Sequence, residues 1–373
     1  MVYLFLFIGI FGLLGCSVLW PLLALPFYRF QRWNEGKPTH ESGVPVSLLE
    51  IVIPAHNEAG RITDTLTSIH RSVQALQAIP SVFSKPKIIV HVAADGCTDQ
   101  TAQAARQFPG VLVTESLENK SKWVTLRTRI AESRADWLIL ADAGVLWPES
   151  FLSDVLQKIH QGANVIGIAP SYRPAKARLL HRILWRLEML LKQTEALCGG
   201  PISLHGATVG YKVFPLKKAL SSLGDTLWLN DDVVIPMVLR ALYPDSVILY
   251  PVGMVQDAGA QQNRMDWGRR KRLLQGNLQW LRTLWPSCFR MNPIVGVMAG
   301  RRFFRVLWAY WFGCLIAGLA AAFNFVILPG IIVFGLLMAT SGSFRQLSGA
   351  ALVSLMAPFL MIRPYSLSRG DWK

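Results

Sequence analysis

The chain has 373 residues, enough for one large domain or two ordinary ones. Hydrophobic residues make up 52% of it and the mean hydropathy is +0.33, values that are high for a soluble protein and indicate membrane segments. The net charge of +15 is not accompanied by a nucleic-acid-binding motif, so we exclude nucleic acid as a partner and attribute the charge to an anionic lipid surface or a phosphate-bearing substrate.

The N-terminal segment, residues 1–27, carries no charge over a length that can span a bilayer. Its positive charges, Arg29 and Arg32, come after the apolar stretch, whereas a cleaved signal peptide would carry them before it. The positive-inside rule then places the following domain in the cytoplasm. We predict a retained transmembrane anchor over residues 1–28 and an integral protein of the inner or plasma membrane.

Residues 46–255 alternate short apolar runs with helical patterns. The predicted strands are 48–53, 87–93, 111–114, 137–141, 164–168 and 247–250, and the predicted helices lie near 59–77, 99–107, 121–134, 149–161 and 232–242. Strands that alternate with helices indicate an α/β domain, with a mostly parallel sheet covered on both faces.

Carboxylates follow the apolar runs at four places in this domain. Glu58 comes after the first strand, Asp95 and Asp142 end two later strands, and Asp231 and Asp232 open a helix. A single acid at such a position is usually a structural cap. Successive strand ends of a parallel sheet meet at one edge, however, and ligands of open α/β sheets bind there. The set as a whole therefore predicts a functional site.

Residues 173–198 predict a basic amphipathic helix. Its leucines and Ile183 share one face, and Arg178, Arg182, Arg186 and Lys192 lie on the others. Such a helix suits a membrane interface, and it equally suits an ordinary helix that packs on the domain.

A basic run, Arg269 to Arg272, opens the stretch 266–281. It is either a juxtamembrane segment against lipid headgroups or a clamp for a diphosphate leaving group, since Arg pairs bidentately with phosphate oxygens.

The C-terminal region, residues 303–364, predicts two or three further membrane segments. The apolar block 306–341 has the length of about two spans and follows Arg301, Arg302 and Arg305. The weaker stretch 347–362 has basic residues on both flanks, so it is either a third span or a re-entrant or interfacial segment.

In order along the chain, "IVIPAHNEAGRITDTLTSI", "AADGCTDQTA", "LADAG", "NDD" and "RRKRLLQG" resemble the motifs of family-2 glycosyltransferases, which have the GT-A (Rossmann-like) fold. The resemblance covers about residues 48–280, within a predicted cytoplasmic domain of 46–285. The flanking apolar segments resemble the membrane-bound, lipid-glycosylating branch of that family, such as the ceramide-glucosyltransferase-like enzymes.

On the donor side, the resemblance implies that Pro54, Ala55 and Glu58 line the nucleoside pocket, and that Asp95 contacts the base or the ribose. Lys122 would lie near the nucleotide.

On the catalytic side, the resemblance implies that Asp142 takes the place of the first acid of D-x-D. Asp232 would be the general base, with Asp231 beside it raising its pKa. Arg269 and Arg272 would contact the diphosphate and the acceptor, and His205 and Gly206 would form a Gly-rich turn under the sugar.

Three positions depart from the family's motifs. Ala94 replaces the first acid of D-D-G, Gly144 replaces the second acid of D-x-D, and Leu273 replaces a Trp. The change at Gly144 removes an expected metal ligand. Asp142 can still hold Mg²⁺ or Mn²⁺ together with diphosphate oxygens and water, or else the basic run carries more of the leaving-group charge.

The expected activity is that of an inverting hexosyltransferase, because no residue stands out as a covalent nucleophile. It would move a sugar from a nucleotide-diphospho-sugar to a membrane-lipid hydroxyl in glycolipid biosynthesis. The alternatives are an exopolysaccharide or cell-wall glycosyltransferase and a catalytically silent membrane scaffold. A transporter is excluded because the apolar blocks carry essentially no ionisable residues, and a dinucleotide-binding oxidoreductase because no G-x-G-x-x-G follows the first strand.

Overall fold

The computed structural model describes residues 1–24, 26, 45–80, 85–162, 164–173, 179–258, 267–323, 329 and 350–358. Most of the second half of the predicted block 306–341, and both ends of the stretch 347–362, lie outside these residues.

The domain contains strands and helices in alternation. The strands are β1 Leu48–Ala55, β2 Lys87–Asp95, β3 Val111–Ser116, β4 Trp137–Ala141, β5 Val145–Leu146, β6 Val165–Ile168, β7 Ser171–Arg173, β8 Thr208–Lys212, β9 Val247–Leu249 and β10 Met254–Asp257. The helices are α1 Val2–Gly15, α2 Ala59–Ala78, α3 Thr101–Arg106, α4 Lys122–Glu132, α5 Phe151–Gln161, α6 Leu179–Ala196, α7 Val213–Ser222, α8 Asp231–Leu242, α9 Trp267–Thr283, α10 Trp285–Met291, α11 Pro293–Val306 and α12 Trp308–Ala322.

The main sheet has seven strands in the order β3-β2-β1-β4-β8-β6-β9, and a second sheet has the order β5-β10-β7. The pairs β1/β2, β1/β4, β2/β3 and β6/β9 are parallel, and β8 is antiparallel to both of its neighbours. The prediction of a mostly parallel sheet is therefore confirmed, as are its six predicted strands. The sequence analysis missed β5, β7, β8 and β10, together with helix α7.

Both faces of the sheet are covered by apolar side chains, which explains the apolar run from Ile51 to Ile53 in β1. Ile51 and Ile53 pack with Ile62 of α2 on one face. Val52, which points the other way, belongs to the cluster that contains Trp123 of α4. The alternation of side chains along β1 thus anchors helices on both sides of the strand whose end reaches the site.

The N-terminal helix α1 packs against α12. A Cβ at Gly9 would lie 2.5 Å from the backbone nitrogen of Leu315, so the two helices touch through backbone at this point. Within the described part of the chain, no single helix is both long and apolar enough to cross a bilayer, although the bent pair α11 and α12, at 61° to each other, passes when taken together. The transmembrane segments stay predictions.

Helix α6 turns much of its predicted apolar face outward. Ile183, Leu187 and Leu190 are 48%, 52% and 58% exposed, whereas Lys192 and Glu195 are buried at 4% and 1%. The polar side of this helix therefore packs on the domain, and an apolar stripe faces away from it.

Candidate active site

Four charged residues, predicted from three separate motifs, meet at the carboxyl end of β4. Asp142 follows this strand directly, and Asp231 and Asp232 form the first turn of α8. The Nζ atom of Lys122, the first residue of α4, lies 2.7 Å from Oδ1 of Asp142 and 3.5 Å from Oδ2 of Asp231. One ammonium group thus bridges two carboxylates that are far apart in sequence.

The turn from Leu204 to Ala207 holds the acids in place. The backbone N–H of Leu204 donates to the carbonyl of Asp232, and the N–H of Asp142 donates to the carbonyl of Ala207, both over 2.9 Å. A Cβ at Gly206 would lie 3.5 Å from Cβ of Asp232 and 4.0 Å from Oδ2 of Asp142. Gly206 therefore lies between the two acids, and its missing side chain keeps the space between them open.

The electrostatics differ between the members of this cluster. Burial, followed by the charge of Asp231, raises the pKa of Asp232 to about 6, against the opposing charges of Arg302, Lys122 and Lys192. Although burial opposes it, the carboxylates of Asp142 and Asp231 raise the pKa of Lys122. At neutral pH the cluster therefore contains an ionised carboxylate of raised basicity beside a firmly charged ammonium, the pair that proton abstraction and leaving-group stabilisation require.

Gly144, at the second acid position of D-x-D, lies next to a positively charged side chain. Gly144 has a φ of +95°, its N–H donates to Oγ1 of Thr65 over 2.8 Å, and a Cβ there would lie 3.1 Å from Nη1 of Arg61. Arg61 forms an ion pair with Glu58. A guanidinium thus lies beside the place where the family's motif has a carboxylate.

The residues fit a divalent metal only through a single carboxylate. Among the described residues, no group of three or more His, Cys, Asp or Glu is arranged to hold a metal ion. Asp142 is 43% exposed; its Oδ1 accepts from Lys122, and its Oδ2 faces the space beside Gly206. One carboxylate oxygen is therefore directed to the open part of the site, which suits an ion that takes most of its ligands from a diphosphate and water.

The predicted nucleoside-pocket residues lie at the ends of β1 and β2. Pro54 and Ala55 are buried at the end of β1, next to Ala93 and Ala94 of β2. Both carboxylate oxygens of the buried Asp95 lie 3.0 Å from the backbone nitrogen of Lys120 and accept its hydrogen. This bond fixes the loop that leads to Lys122, two residues further on.

Helix α9 brings the basic run toward the acid pair. A Cβ at Gly276 would lie 2.5 Å from Oδ1 of Asn230, and Nδ2 of Asn230 donates to the carbonyl of Leu273 over 3.3 Å. Asn230 directly precedes Asp231, so α9 packs on the residue that begins α8. Arg272 lies in this helix; the backbone of Arg269 is helical and its side chain is outside the described residues.

Several functional candidates escaped the sequence analysis. Tyr172 and Trp185 are two of them. The ring of Tyr172 stacks on that of the predicted residue His205, with the ring centroids 3.7 Å apart, and Trp185 meets His205 edge-on at 5.3 Å, which forms an aromatic wall next to Gly206. Asn230 fastens the acid pair to α9. Lys192 and Arg302 bring positive charge close to Asp232. The helical pattern did not single out Lys192 as a functional residue, because it placed Lys192 with the other basic residues on the polar faces of the helix.

Comparisons with known proteins bear on the fold and on the class of enzyme. The family profile "Glycosyl transferase family 2" matches residues 50–219. No curated protein matches the chain significantly. Among solved structures, the mannosyltransferase PcManGT from Pyrobaculum calidifontis, in complex with GDP-Man and Mn²⁺, has a TM-score of 0.65 at 19% identity, over 96% of this chain and 99% of that one.

Two further similar structures are more distant. TarS 1-349 from S. aureus has a TM-score of 0.47 at 12% identity, over 83% of this chain and 91% of that one. Glucosyl-3-phosphoglycerate synthase from Mycobacterium tuberculosis, with Mn²⁺, UDP and glucosyl-3-phosphoglycerate, has a TM-score of 0.42 at 17% identity, over 65% and 80%. We base the fold assignment on the mannosyltransferase. Residues 50–219 therefore form a glycosyltransferase family 2 domain with a GT-A-like fold, and the chain is a glycosyltransferase.

Proposed function

We propose that this chain transfers a sugar, with inversion, from a nucleotide-diphospho-sugar to a hydroxyl group of a membrane lipid. The observation that carries the proposal is the meeting of Asp142, Lys122, Asp231 and Asp232 around Gly206. It supplies a base of raised pKa, a fixed positive charge and an open space between them, which are the requirements of a single displacement at an anomeric carbon.

In the reaction, the acceptor oxygen bonds to the anomeric carbon while the bond from that carbon to the diphosphate breaks. Asp232 takes the proton of the attacking hydroxyl, since burial keeps its carboxylate basic. The leaving diphosphate gains charge, and Lys122 offsets that charge. Arg272 and Arg269 of α9 contribute on the diphosphate and acceptor side, and His205 with Gly206 forms the floor under the sugar.

The nucleoside part of the donor would lie along the ends of β1 and β2. In this proposal Pro54, Ala55 and Glu58 line the nucleoside pocket and Asp95 reaches the base or the ribose. The parallel pairing of these strands supports it, because ligands of such sheets bind at the carboxyl ends of the strands.

A divalent metal, when bound, would supply Lewis-acid charge to the diphosphate, with Asp142 as its protein ligand. We expect EDTA to lower the initial rate about tenfold or more and either Mn²⁺ or Mg²⁺ to restore it, measured with purified chain and labelled donor. The variant Asp142→Asn should lose the response to added metal. Asp245→Asn makes the same chemical change at an exposed position and is the matched control. An unchanged rate in EDTA would contradict a role for the metal. The charge on the leaving diphosphate would then be stabilised by Lys122 and Arg61.

The lipid acceptor and the membrane location are supported by surface composition. The exposed stripe of α6, formed by Ile183, Leu187 and Leu190, offers an apolar surface that faces away from the domain. Helices α1 and α12, which pack on each other although they are far apart in the sequence, add a further apolar surface. A protein held at the inner or plasma membrane, with its domain on the cytoplasmic side and attracted to anionic lipid, fits these surfaces and the charge of +15.

The test is turnover in lipid. Purified full-length chain in native lipid receives a panel of radiolabelled nucleotide-sugars, and the label is counted in the organic phase, with Asp232→Asn beside it. Label that enters the lipid fraction only with the wild-type chain supports the proposal. Label in a water-soluble polymer would instead assign an exopolysaccharide or cell-wall acceptor, and donor binding without any transfer would assign a silent scaffold.

The acid limb of the pH–rate profile should report Asp232. We expect kcat/KM to fall below about pH 6, because the base must be ionised and its pKa is raised to about 6. Asp231→Asn removes a neighbouring negative charge, so the pKa of Asp232 should drop and the limb should move to lower pH. Measurements of kcat/KM for the wild-type chain and for Asp231→Asn, from about pH 4.5 to about pH 8, check this. A limb that stays in place would mean that another group titrates.

A further inference from the structure

Helices α6 and α11 bury a group of charged side chains beside the acid pair. The buried guanidinium of Arg301 lies 2.9 Å from Oε1 of Glu195 and 3.2 Å from Oε2 of Glu188. Arg305 lies 2.6 Å from Oε2 of Glu188. Arg301 thus contacts both carboxylates of α6 in this group and Arg305 contacts Glu188, whereas Oε2 of Glu195 has no hydrogen-bond partner among the described residues.

Two cations of the same group, Lys192 and Arg302, form no ion pair with any described carboxylate. Lys192 is 4% exposed and forms no hydrogen bond or ion pair with any described residue. Arg302 donates to Oγ of Ser203 and makes no ion pair within the described part of the chain. The buried Nε of Arg302 has no hydrogen-bond partner among the described residues, and a buried donor without an acceptor is costly, so these two cations indicate a ligand that supplies acceptors.

The position of these two cations links them to the reacting groups. Ser203, which Arg302 contacts, directly precedes Leu204, whose N–H donates to the carbonyl of Asp232. The charges of Lys192 and Arg302 both act on the Asp232 carboxylate. Burial lowers the pKa of Lys192 to about 8, so its ammonium is still charged at neutral pH. Lys122, by contrast, is engaged by Asp142 and Asp231.

We propose that Lys192 and Arg302 form an anion-binding subsite next to Asp232, which takes the phosphate group of a lipid acceptor. The inference rests on the proposed function, because it assigns a chemical class to its acceptor. A guanidinium and an ammonium together offer several donors to phosphate oxygens, and such charge-assisted hydrogen bonds are about twice as strong as neutral ones.

The experiment measures binding, without catalysis. Full-length chain in neutral-lipid nanodiscs is titrated with dodecyl phosphate and with dodecylglycerol, which has the same chain length and no charge. We expect the phosphate to bind about tenfold more tightly or better, and Lys192→Met and Arg302→Gln each to remove most of that preference. Lys192→Arg keeps the charge and should retain the preference, and Lys218→Met, on the exposed side of α7, should not change it.

Donor binding, measured on the same samples, separates the two proposals. A chain that binds labelled nucleotide-sugar but shows equal affinity for the two amphiphiles overturns the subsite and leaves the proposed function standing. Preference for dodecyl phosphate that survives both Lys192→Met and Arg302→Gln also overturns it. Inorganic phosphate that competes as strongly as dodecyl phosphate overturns the assignment to a lipid headgroup. If Lys192→Met misfolds and loses donor binding, the result for Arg302→Gln and the preference of the wild-type chain for dodecyl phosphate still decide whether the subsite exists.

Discussion

Asp232→Asn is expected to lower kcat by about 10²–10⁴-fold, because the amide cannot accept the proton of the attacking hydroxyl. The side chain sits at the start of α8, where burial and Asp231 raise its pKa to about 6. The KM for the donor should change little, since Asp142 and Lys122 are untouched. Steady-state rates with saturating donor and acceptor check the prediction.

Asp245→Asn is the matched control, because Asp245 lies exposed in the connection between α8 and β9. It carries the same chemical change outside the site, so its rates should equal those of the wild-type chain. A fall of less than about tenfold in kcat for Asp232→Asn would remove this residue as the base, since general bases contribute more than that. In that case the acceptor would have to arrive already ionised, as a phosphate oxygen does.

The sequence predicted the part of the site that depends on local pattern. Apolar runs gave the strands of the parallel half of the sheet, and the rule that their carboxyl ends meet gave the convergence of Asp142 with Asp231 and Asp232. Lys122 was placed near the nucleotide by resemblance alone, and its bridging contacts to two acids are now visible.

The remaining features depend on contacts between distant segments. Strands β5, β7 and β10 have two to four residues each, too short for an alternating pattern, and they exist because they pair with one another across more than 80 residues. The orientation of α6 could not be read from its pattern either. Its pattern suited both a membrane interface and packing on the domain. Lys192 and Glu195 are buried because α11 brings arginines to that side.

Lys122→Met should lower kcat/KM by about 10–100-fold and the free energy of unfolding by about 1–3 kcal/mol, since charge-assisted hydrogen bonds contribute on that scale. The loss of the ammonium leaves Asp142, Asp231 and Asp232 close together without the cation that bridges two of them. Their mutual repulsion destabilises the fold, and it also raises the pKa of Asp232, because Lys122 is one of the charges that lower it. Denaturant unfolding and pH–rate profiles measure the two effects separately, and Lys218→Met is the control for both.

The double variant Lys122→Met with Asp142→Asn decides what Lys122 does. Removing one carboxylate relieves the repulsion, so the free energy of unfolding should recover much of what Lys122→Met lost. Activity should stay low, because the leaving diphosphate still lacks the charge that Lys122 supplies and now lacks Asp142 as well. If activity returned together with stability, Lys122 would be only a counter-ion for the acids, and the charge on the leaving group would have to be met by α9 and its arginines. Recovery of stability without activity would instead place the lysine in the reaction itself.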